Sequence, residues 1–488
     1  MSIISIQNLT FSHYGSADKL FDNLTLNLDT GWRLGLIGRN GRGKTTLLHL
    51  LMKRYEFSGG ISSSVDFDYF PYELPGPERP TESALADLGG FETWKMEKEL
   101  ARLQVDPEVL GRPFQTLSGG ERTKVMLAAL FVKEGCFPLI DEPTNHLDLD
   151  GRRIVGDYLR RQLGFILVSH DRAFLDRAVD HILSINRSGV DLQKGNHSSW
   201  QRNQEYRDHY EAARNQKLIG EIKKLDQAAR RTAGWSAKTE RGKYGAGPVD
   251  RGFIGHKSAK IMKRSKIAER RGRQALEEKK GLLRNVEMNE KISITTDVHH
   301  SSRLLALTDI SVSYDDRQVL NNIHFSLNQG ERLLVTGPNG SGKSTLLKLA
   351  YGFDIPYQGN ISRASGINIS WLPQELDGLS EGSLKNWIQG QKLDESLFKA
   401  ILHKLGFLKS QFETPLAAFS LGQKKKIFIA GCLCRPAHLH IWDEPLNYID
   451  LISRVQIEEL ILEYQPTMLL VEHDLRFAET VATGFISL

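Results

Sequence analysis

Short apolar runs recur along the chain in two matching sets. Trp32-Arg-Leu-Gly-Leu-Ile-Gly38 is apolar throughout and ends in a glycine-rich loop, after which Thr45 to Arg54 takes on a helical spacing. Phe137-Pro-Leu-Ile-Asp141 and Phe165-Ile-Leu-Val-Ser169 are further runs of strand length. Leu439-His-Ile-Trp-Asp443 and Met468-Leu-Leu-Val-Glu472 match them about 300 residues later. Runs without polar alternation predict strands buried on both faces, hence a parallel sheet covered by helices, an α/β fold. The pattern changes between the two sets. Trp200 to Ala233 reads as a polar helix with a stripe at Tyr206, Tyr210, Ala213, Leu218, Ile222, Leu225 and Ala229. A second helix runs from about Gly255 to Glu287, with Ile254, Ile261, Ala268, Ala275 and Leu282 spaced by sevens. Each helix would extend roughly 50 Å at 1.5 Å per residue. Together they predict a long antiparallel α-helical hairpin, an arm with its tip at about 234–255.

The motifs repeat as well. Gly38-Arg-Asn-Gly-Arg-Gly-Lys-Thr45 returns as Gly337-Pro-Asn-Gly-Ser-Gly-Lys-Ser344, and Leu117-Ser-Gly-Gly-Glu121 as Phe419-Ser-Leu-Gly-Gln423. Ile140-Asp-Glu-Pro-Thr-Asn-His-Leu-Asp148 returns as Trp442-Asp-Glu-Pro-Leu-Asn-Tyr-Ile-Asp450, and Val168-Ser-His-Asp171 as Val471-Glu-His-Asp474. Four elements in one order mean a duplicated domain. The expected division is 1–199, a linker 200–290, and 302–488.

Charge sharpens the contrast between linker and flanks. The chain of 488 residues carries a net charge of only +5, yet residues 201–290 hold 23 Lys/Arg against 12 Asp/Glu, which leaves the remainder acidic. A basic segment between acidic flanks points to a polyanionic partner. The three cysteines, Cys136, Cys432 and Cys434, form no disulfide framework and suit a reducing compartment. No run approaches ~18 apolar residues and no signal peptide is visible, so neither a membrane span nor a membrane partner is expected and a cytoplasmic location is.

The pattern G-x-x-x-x-G-K-[ST], met twice in strand–loop–helix context, is that of a phosphate-binding loop. Backbone N–H groups around Gly38, Asn40, Gly41 and Gly43, and around Gly337, Asn339, Gly340 and Gly342, can turn toward phosphates. Lys44 and Lys343 bring positive charge, and Thr45, Thr46, Ser344 and Thr345 open the following helices. Asp141 and Asp443 end apolar strands, where a Mg²⁺-associated carboxylate belongs; with Thr45 and Ser344 they make the expected Mg²⁺ set. Glu142 and Glu444 follow, placed to act as general bases on a water. His170 and His473 follow the next strand, within reach of a terminal phosphate.

These residues resemble those of ATP-binding-cassette ATPases, in both halves. The resemblance implies two tandem P-loop ATPase domains closing head to tail on ATP, each loop covered by the other copy's signature. Ser420 and Gly422 would then cover Gly38–Thr45, and Ser118, Gly119 and Gly120 would cover Gly337–Ser344. Gln374 matches the family's glutamine that senses Mg²⁺ and the attacking water, and Tyr14 and Tyr314 are candidates to stack on adenine. Two departures fall on one site: Tyr72 stands where Gln374 stands in the other copy, and Leu421 replaces a signature glycine. Slower hydrolysis is therefore expected at the site built on Gly38–Thr45.

The tip region, Gly234–Gly255, interleaves glycines with Trp235, Tyr244 and Phe253, and Lys243, Lys257, Lys263, Arg264 and Lys266 lie in or after it. Basic residues among aromatics suit RNA phosphates and bases. Tandem cassettes joined by such a linker resemble the ABC-F family of ribosome-associated ATPases, and Ile254–Lys266 with His440–Asn447 resembles its Lsa-type antibiotic-resistance members. The resemblance implies binding to the bacterial 70S ribosome at the E-site tRNA region. The arm would reach past P-site tRNA along 23S rRNA toward the peptidyl-transferase centre, displacing lincosamide, pleuromutilin and streptogramin A drugs. A housekeeping translation factor of the same family is the first alternative. An efflux-transporter ATPase subunit and a DNA-associated ATPase are weaker ones, and DNA is not an expected partner.

Overall fold

The computed structural model describes residues 2–13, 19–74, 76–186, 189–207, 210, 297–314, 317–374, 382–407 and 409–488. One compact unit comprises Met1–Trp200 with Lys291–Leu488 and holds both copies of the repeat; the other is Gln201–Glu290, of which only 201–207 and 210 are described. The hairpin expected beyond those residues, and with it Trp235, Lys243, Tyr244, Phe253, Lys257, Lys263, Arg264 and Lys266, lies outside the described residues, as does Tyr14.

In the first copy the strands are β1 (Ile3–Phe11), β2 (Phe21–Asp29), β3 (Arg33–Gly38), β4 (Ser58–Ser62), β5 (Asp66–Phe70), β6 (Cys136–Asp141), β7 (Phe165–Val168), β8 (His181–Asn186) and β9 (Gly189–Lys194). In the second they are β10 (Arg303–Tyr314), β11 (Arg317–Asn328), β12 (Arg332–Thr336), β13 (Gln358–Arg363), β14 (Ile369–Leu372), β15 (Leu439–Asp443), β16 (Met468–Val471) and β17 (Gly484–Ser487). Each copy has one large sheet, ordered β5-β6-β7-β3-β8-β9 and β14-β15-β16-β12-β17, parallel except for the β8/β9 pair. A three-stranded antiparallel sheet packs beside it, β2-β1-β4 or β11-β10-β13.

The apolar runs emerge as β3, β6, β7, β15 and β16, each within a residue of its expected end. β7, β15 and β16 are buried along their whole length, as both-face covering requires. The helix expected from Thr45 to Arg54 spans Lys44–Leu51 instead. Lys53 turns left-handed, at φ 57, and this ends it. Each copy has two cores. One lies between the large and small sheets, around Leu36, Leu48 and Val168 or Val335, Leu347 and Val471; the other lies under the helices, around Leu100, Ile140 and Leu167 or Phe398, Trp442 and Leu470. A buried side chain of this size contributes roughly 1.5–3 kcal/mol relative to an exposed one. The central strands are therefore rigid mounts for the loops at their carboxyl ends.

Candidate functional site

Both phosphate-loop patterns sit where a central strand hands over to a helix: β3 to Lys44–Leu51, and β12 to Lys343–Tyr351. Each helix starts from a left-handed glycine, Gly43 at φ 88 and Gly342 at φ 93. Neither has a capping side chain. The neighbouring helices that start after Ser118, Asp148, Asp171, Ser420, Asp450 and Asp474 are all capped by those side chains. The first-turn N–H groups of the two loop helices are therefore left to an external acceptor, an arrangement suited to phosphate.

The Lys44 ammonium donates to the carbonyls of Gly38 (2.9 Å) and Arg39 (3.4 Å); that of Lys343 donates to Gly337 and Pro338, both at 2.9 Å. Burial lowers both pKa values, against the pull of Glu142 on Lys44 and Glu444 on Lys343. The Thr45 hydroxyl donates to Asp141 at 2.7 Å, and the Ser344 hydroxyl bonds Asp443. Asp443 is fully buried and its Oδ1 has no partner among the described residues. A hydroxyl beside a carboxylate with a spare oxygen is a hard-oxygen donor set that fits Mg²⁺.

Glu142 and Glu444 both adopt the left-handed conformation, φ 49 and 46, which is costly for a side chain of this size. Each is pinned by its own N–H, to the carbonyl of Val168 (2.9 Å) or Val471 (3.0 Å). Their surroundings differ. Burial, reinforced by Asp141, pushes the Glu142 carboxyl up to about 8, and burial also drives His170 well below the usual imidazole range. Nε2 of His170 lies 3.3 Å from Glu142 Oε1. With the acid raised and the imidazole lowered, this is a neutral pair rather than a salt bridge. Burial also pushes Glu444 up, but bonds from His473, Gln374 and Asn447 outweigh it and hold the carboxyl below its ordinary value. Glu444 is thus ready as a base at neutral pH.

Each loop faces the other copy. Asn40 Nδ2 donates to the Tyr448 carbonyl at 2.6 Å, and Asn339 Nδ2 to the His146 carbonyl at 3.4 Å. A cavity of about 820 Å³ is lined by Ser118, Gly119 and Gly120 of the first copy and, from the second, by Asn339, Gly340, Gly342, Lys343, Ser344, Thr345, Gln374, Glu444 and His473. At the other site Gly422 abuts Asn40 so closely that a Cβ there would lie 2.4 Å from its Nδ2. Ser118 and Ser420 each form a capping box, with Glu121 and Gln423.

The remaining expected residues fall into place unevenly. Thr46 Oγ1 lies 3.5 Å from His13 Nε2. Tyr314 ends β10, half exposed, and does not line the cavity. Tyr72 donates to Asp68 at 2.7 Å. Tyr69, which sequence reasoning passed over, donates instead to Asp141 at 3.1 Å, where the second copy has Trp371. His146 and Tyr448 were also passed over; their shared offset in the repeated Asp-Glu-Pro motif was the available signal.

Residues 21–145 and 320–447 match the family model described as ABC transporter. The ribosome protection protein VmlR of Bacillus subtilis is 29% identical over 97% of this chain and 85% of its own length. The probable ATP-binding protein YheS of Escherichia coli is 28% identical over 93% of this chain and 74% of its own. Among solved structures, the archaeal ribosome recycling factor aABCE1, in complex with the ribosomal stalk protein aP1, shares the fold at a TM-score of 0.62 and 20% identity, covering 96% of this chain and 84% of that one. Among the described residues, no helix is long and apolar enough to cross a membrane.

Proposed function

Since the chain belongs to the ABC transporter family and, through its likeness to VmlR and YheS, to the ABC-F branch, we propose that this ATPase is a ribosome-binding protection factor gated by ATP. Its cassettes bind and hydrolyse ATP. In this reading the N–H groups of Gly41, Gly43, Gly340 and Gly342 and the ammonium groups of Lys44 and Lys343 hold the phosphates, while the opposing signatures, Ser420–Gly422 and Ser118–Gly120, close over them. Thr45 with Asp141, and Ser344 with Asp443, would hold Mg²⁺, which would supply charge neutralisation for the phosphates. Glu444 Oε takes a proton from the attacking water, and Gln374 and Asn447 keep that oxygen aimed. Closure holds the protein on the 70S ribosome in the cytoplasm, at the E site, with the arm of residues 200–290 directed along 23S rRNA to displace lincosamide, pleuromutilin and streptogramin A drugs. Hydrolysis releases it.

What carries this reading is likeness over 97% of the chain, linker included, to a protein named for ribosome protection. Likeness over 93% to YheS, a probable ATP-binding protein, does not separate protection from a housekeeping translation role, which is the second reading. Co-sedimentation of the Glu142→Gln/Glu444→Gln variant with 70S ribosomes in ATP separates them. The protection reading expects ATP-dependent pelleting and drug displacement that fails when 234–255 is removed. Pelleting with no effect on bound drug favours housekeeping, and no pelleting under any nucleotide condition removes both.

A further inference from the structure

We infer that Lys425 is a positioning residue that ties the glutamine loop of the second site to the helix whose first turn closes the first. The inference rests on the two-site reading above. The helix Leu421–Cys434 begins at Ser420, and its Gly422 meets Asn40 of the first loop. Lys425 follows three residues later, less than one turn along the helix, and is 1% exposed. Its ammonium donates to the carbonyls of Pro373 (2.9 Å), Gln374 (3.4 Å) and Asp443 (3.5 Å). Two of these belong to the segment after β14 that delivers Gln374 to Glu444; the third ends β15, next to Glu444 itself. An ammonium has three N–H donors, and here each has a backbone carbonyl.

This is a costly arrangement. Burial lowers the Lys425 pKa to about 8, although Glu472, Asp443 and Glu444 pull the other way. The fold does not require it. At the matching position of the first copy, Thr123 is also buried, but its hydroxyl returns to Gly119 of its own helix at 3.0 Å. The first copy's signature helix therefore lacks the lysine's reach to Tyr72. The next residue strengthens the argument. Lys426, also buried, donates to Asp450 at 2.7 Å. Asp450 caps the helix that follows Tyr448, whose carbonyl accepts from Asn40. Two adjacent lysines thus anchor one helix, Lys426 into the element touching the first site and Lys425 into the catalytic edge of the second. Seating of Ser420 and Gly422 on an occupied first site fixes the helix, and through Lys425 fixes Gln374 and the end of β15. Among the described residues Thr123 makes no matching link, since its hydroxyl stays within its own helix. Nucleotide at the first site licenses hydrolysis at the second, and not the converse.

The test uses the full chain with Glu142→Gln, so that turnover reports the second site. Adding Lys425→Met is expected to lower kcat at least tenfold with KM changed less than twofold. Without nucleotide, it should speed amide exchange in 369–374 and leave β16 and the first copy as they were. Lys425→Arg should recover part of kcat. Unchanged kcat, or unchanged exchange in 369–374, overturns the inference. Equal acceleration of exchange across β15 and β16 makes Lys425 a stability residue and overturns it too. Should Lys425→Met not fold, Lys425→Thr, the residue type of the first copy, carries the same expectations. The control is Glu142→Gln/Glu444→Gln: turnover surviving in it refutes the two-site reading itself, whereas a dead control beside a fully active Lys425→Met refutes only the link.

Discussion

The two general-base candidates share a backbone conformation and differ in what surrounds the carboxyl. Glu142, buried beside Asp141, titrates near 8, so its base form grows as pH rises through that value. Glu444 is held below the ordinary carboxylate value by its bonds from His473, Gln374 and Asn447, and is ionised well before neutrality. Phosphate release by the Glu444→Gln variant, which leaves only the first site, should therefore climb roughly tenfold between pH 7 and 9, as the ionised fraction of Glu142 rises from about a tenth to about nine tenths. Release by Glu142→Gln should show no such climb over the same span. A flat profile in both variants would mean that bound nucleotide erases the difference in burial. The residue types alone, Asp-Glu-Pro in both copies, could not reveal this contrast, because it arises from the burial of Glu142 and from the bonds that His473, Gln374 and Asn447 give Glu444.

At the level of elements, the two signature helices are the same length and share the same capping box, yet they meet their partners at different clearances. A Cβ on Gly422 would lie 2.3 Å from the Tyr448 carbonyl, whereas on Gly120 its nearest neighbour, the His146 carbonyl, is 3.6 Å away. A backbone oxygen cannot swing aside as a side chain can, so Gly422→Ala must push the helix off the first loop. We expect Gly422→Ala to weaken ATP-dependent closure at least tenfold, read as nucleotide affinity in the Glu142→Gln/Glu444→Gln background. Gly120→Ala should change it less than threefold. Equal effects would mean that the helices are not seated as described. Leu421, half exposed beside Gly422, shows that the position that departs from the signature pattern is open, while the glycine that is kept is the one with no room.

Across the whole molecule, the two copies are joined by contacts that do not obey the repeat. Arg172 and Glu458, both buried, form a two-pronged ion pair between the copies, and Arg172 also lies 3.7 Å from Asp474. The matching positions carry Leu475 and Gly156, so the pair exists once. Arg152 reaches across to the His473 carbonyl at 2.9 Å, and Leu451 enters the core of the first copy. Removing one partner of a buried pair strands the other charge and typically costs roughly 3–5 kcal/mol, whereas replacing both with apolar groups is often near neutral. Glu458→Gln should accordingly lower the urea midpoint of the full chain clearly, and Arg172→Met/Glu458→Met should recover most of the loss. Additive losses would show that the pair is not a coupled unit. The midpoint is the proper readout, since a chain of several domains need not unfold in two states.

The sequence by itself determined the local machinery. Each phosphate loop is eight contiguous residues, and its strand and helix follow from apolar runs and spacing, so Gly38–Thr45, Gly337–Ser344, Asp141, Asp443 and the parallel strands were legible without coordinates. Duplication supplied the second reading of each. Only the tertiary structure decided how equal residues came to differ. Tyr69 rather than Tyr72 meets Asp141; Lys425 serves a loop some fifty residues away, where Thr123 serves only its own helix; Arg172 finds Glu458 at a separation of 286 residues. Such partners are set by how helices and strands pack, and the desolvation that separates Glu142 from Glu444 is a property of the assembled surroundings, which no residue carries alone.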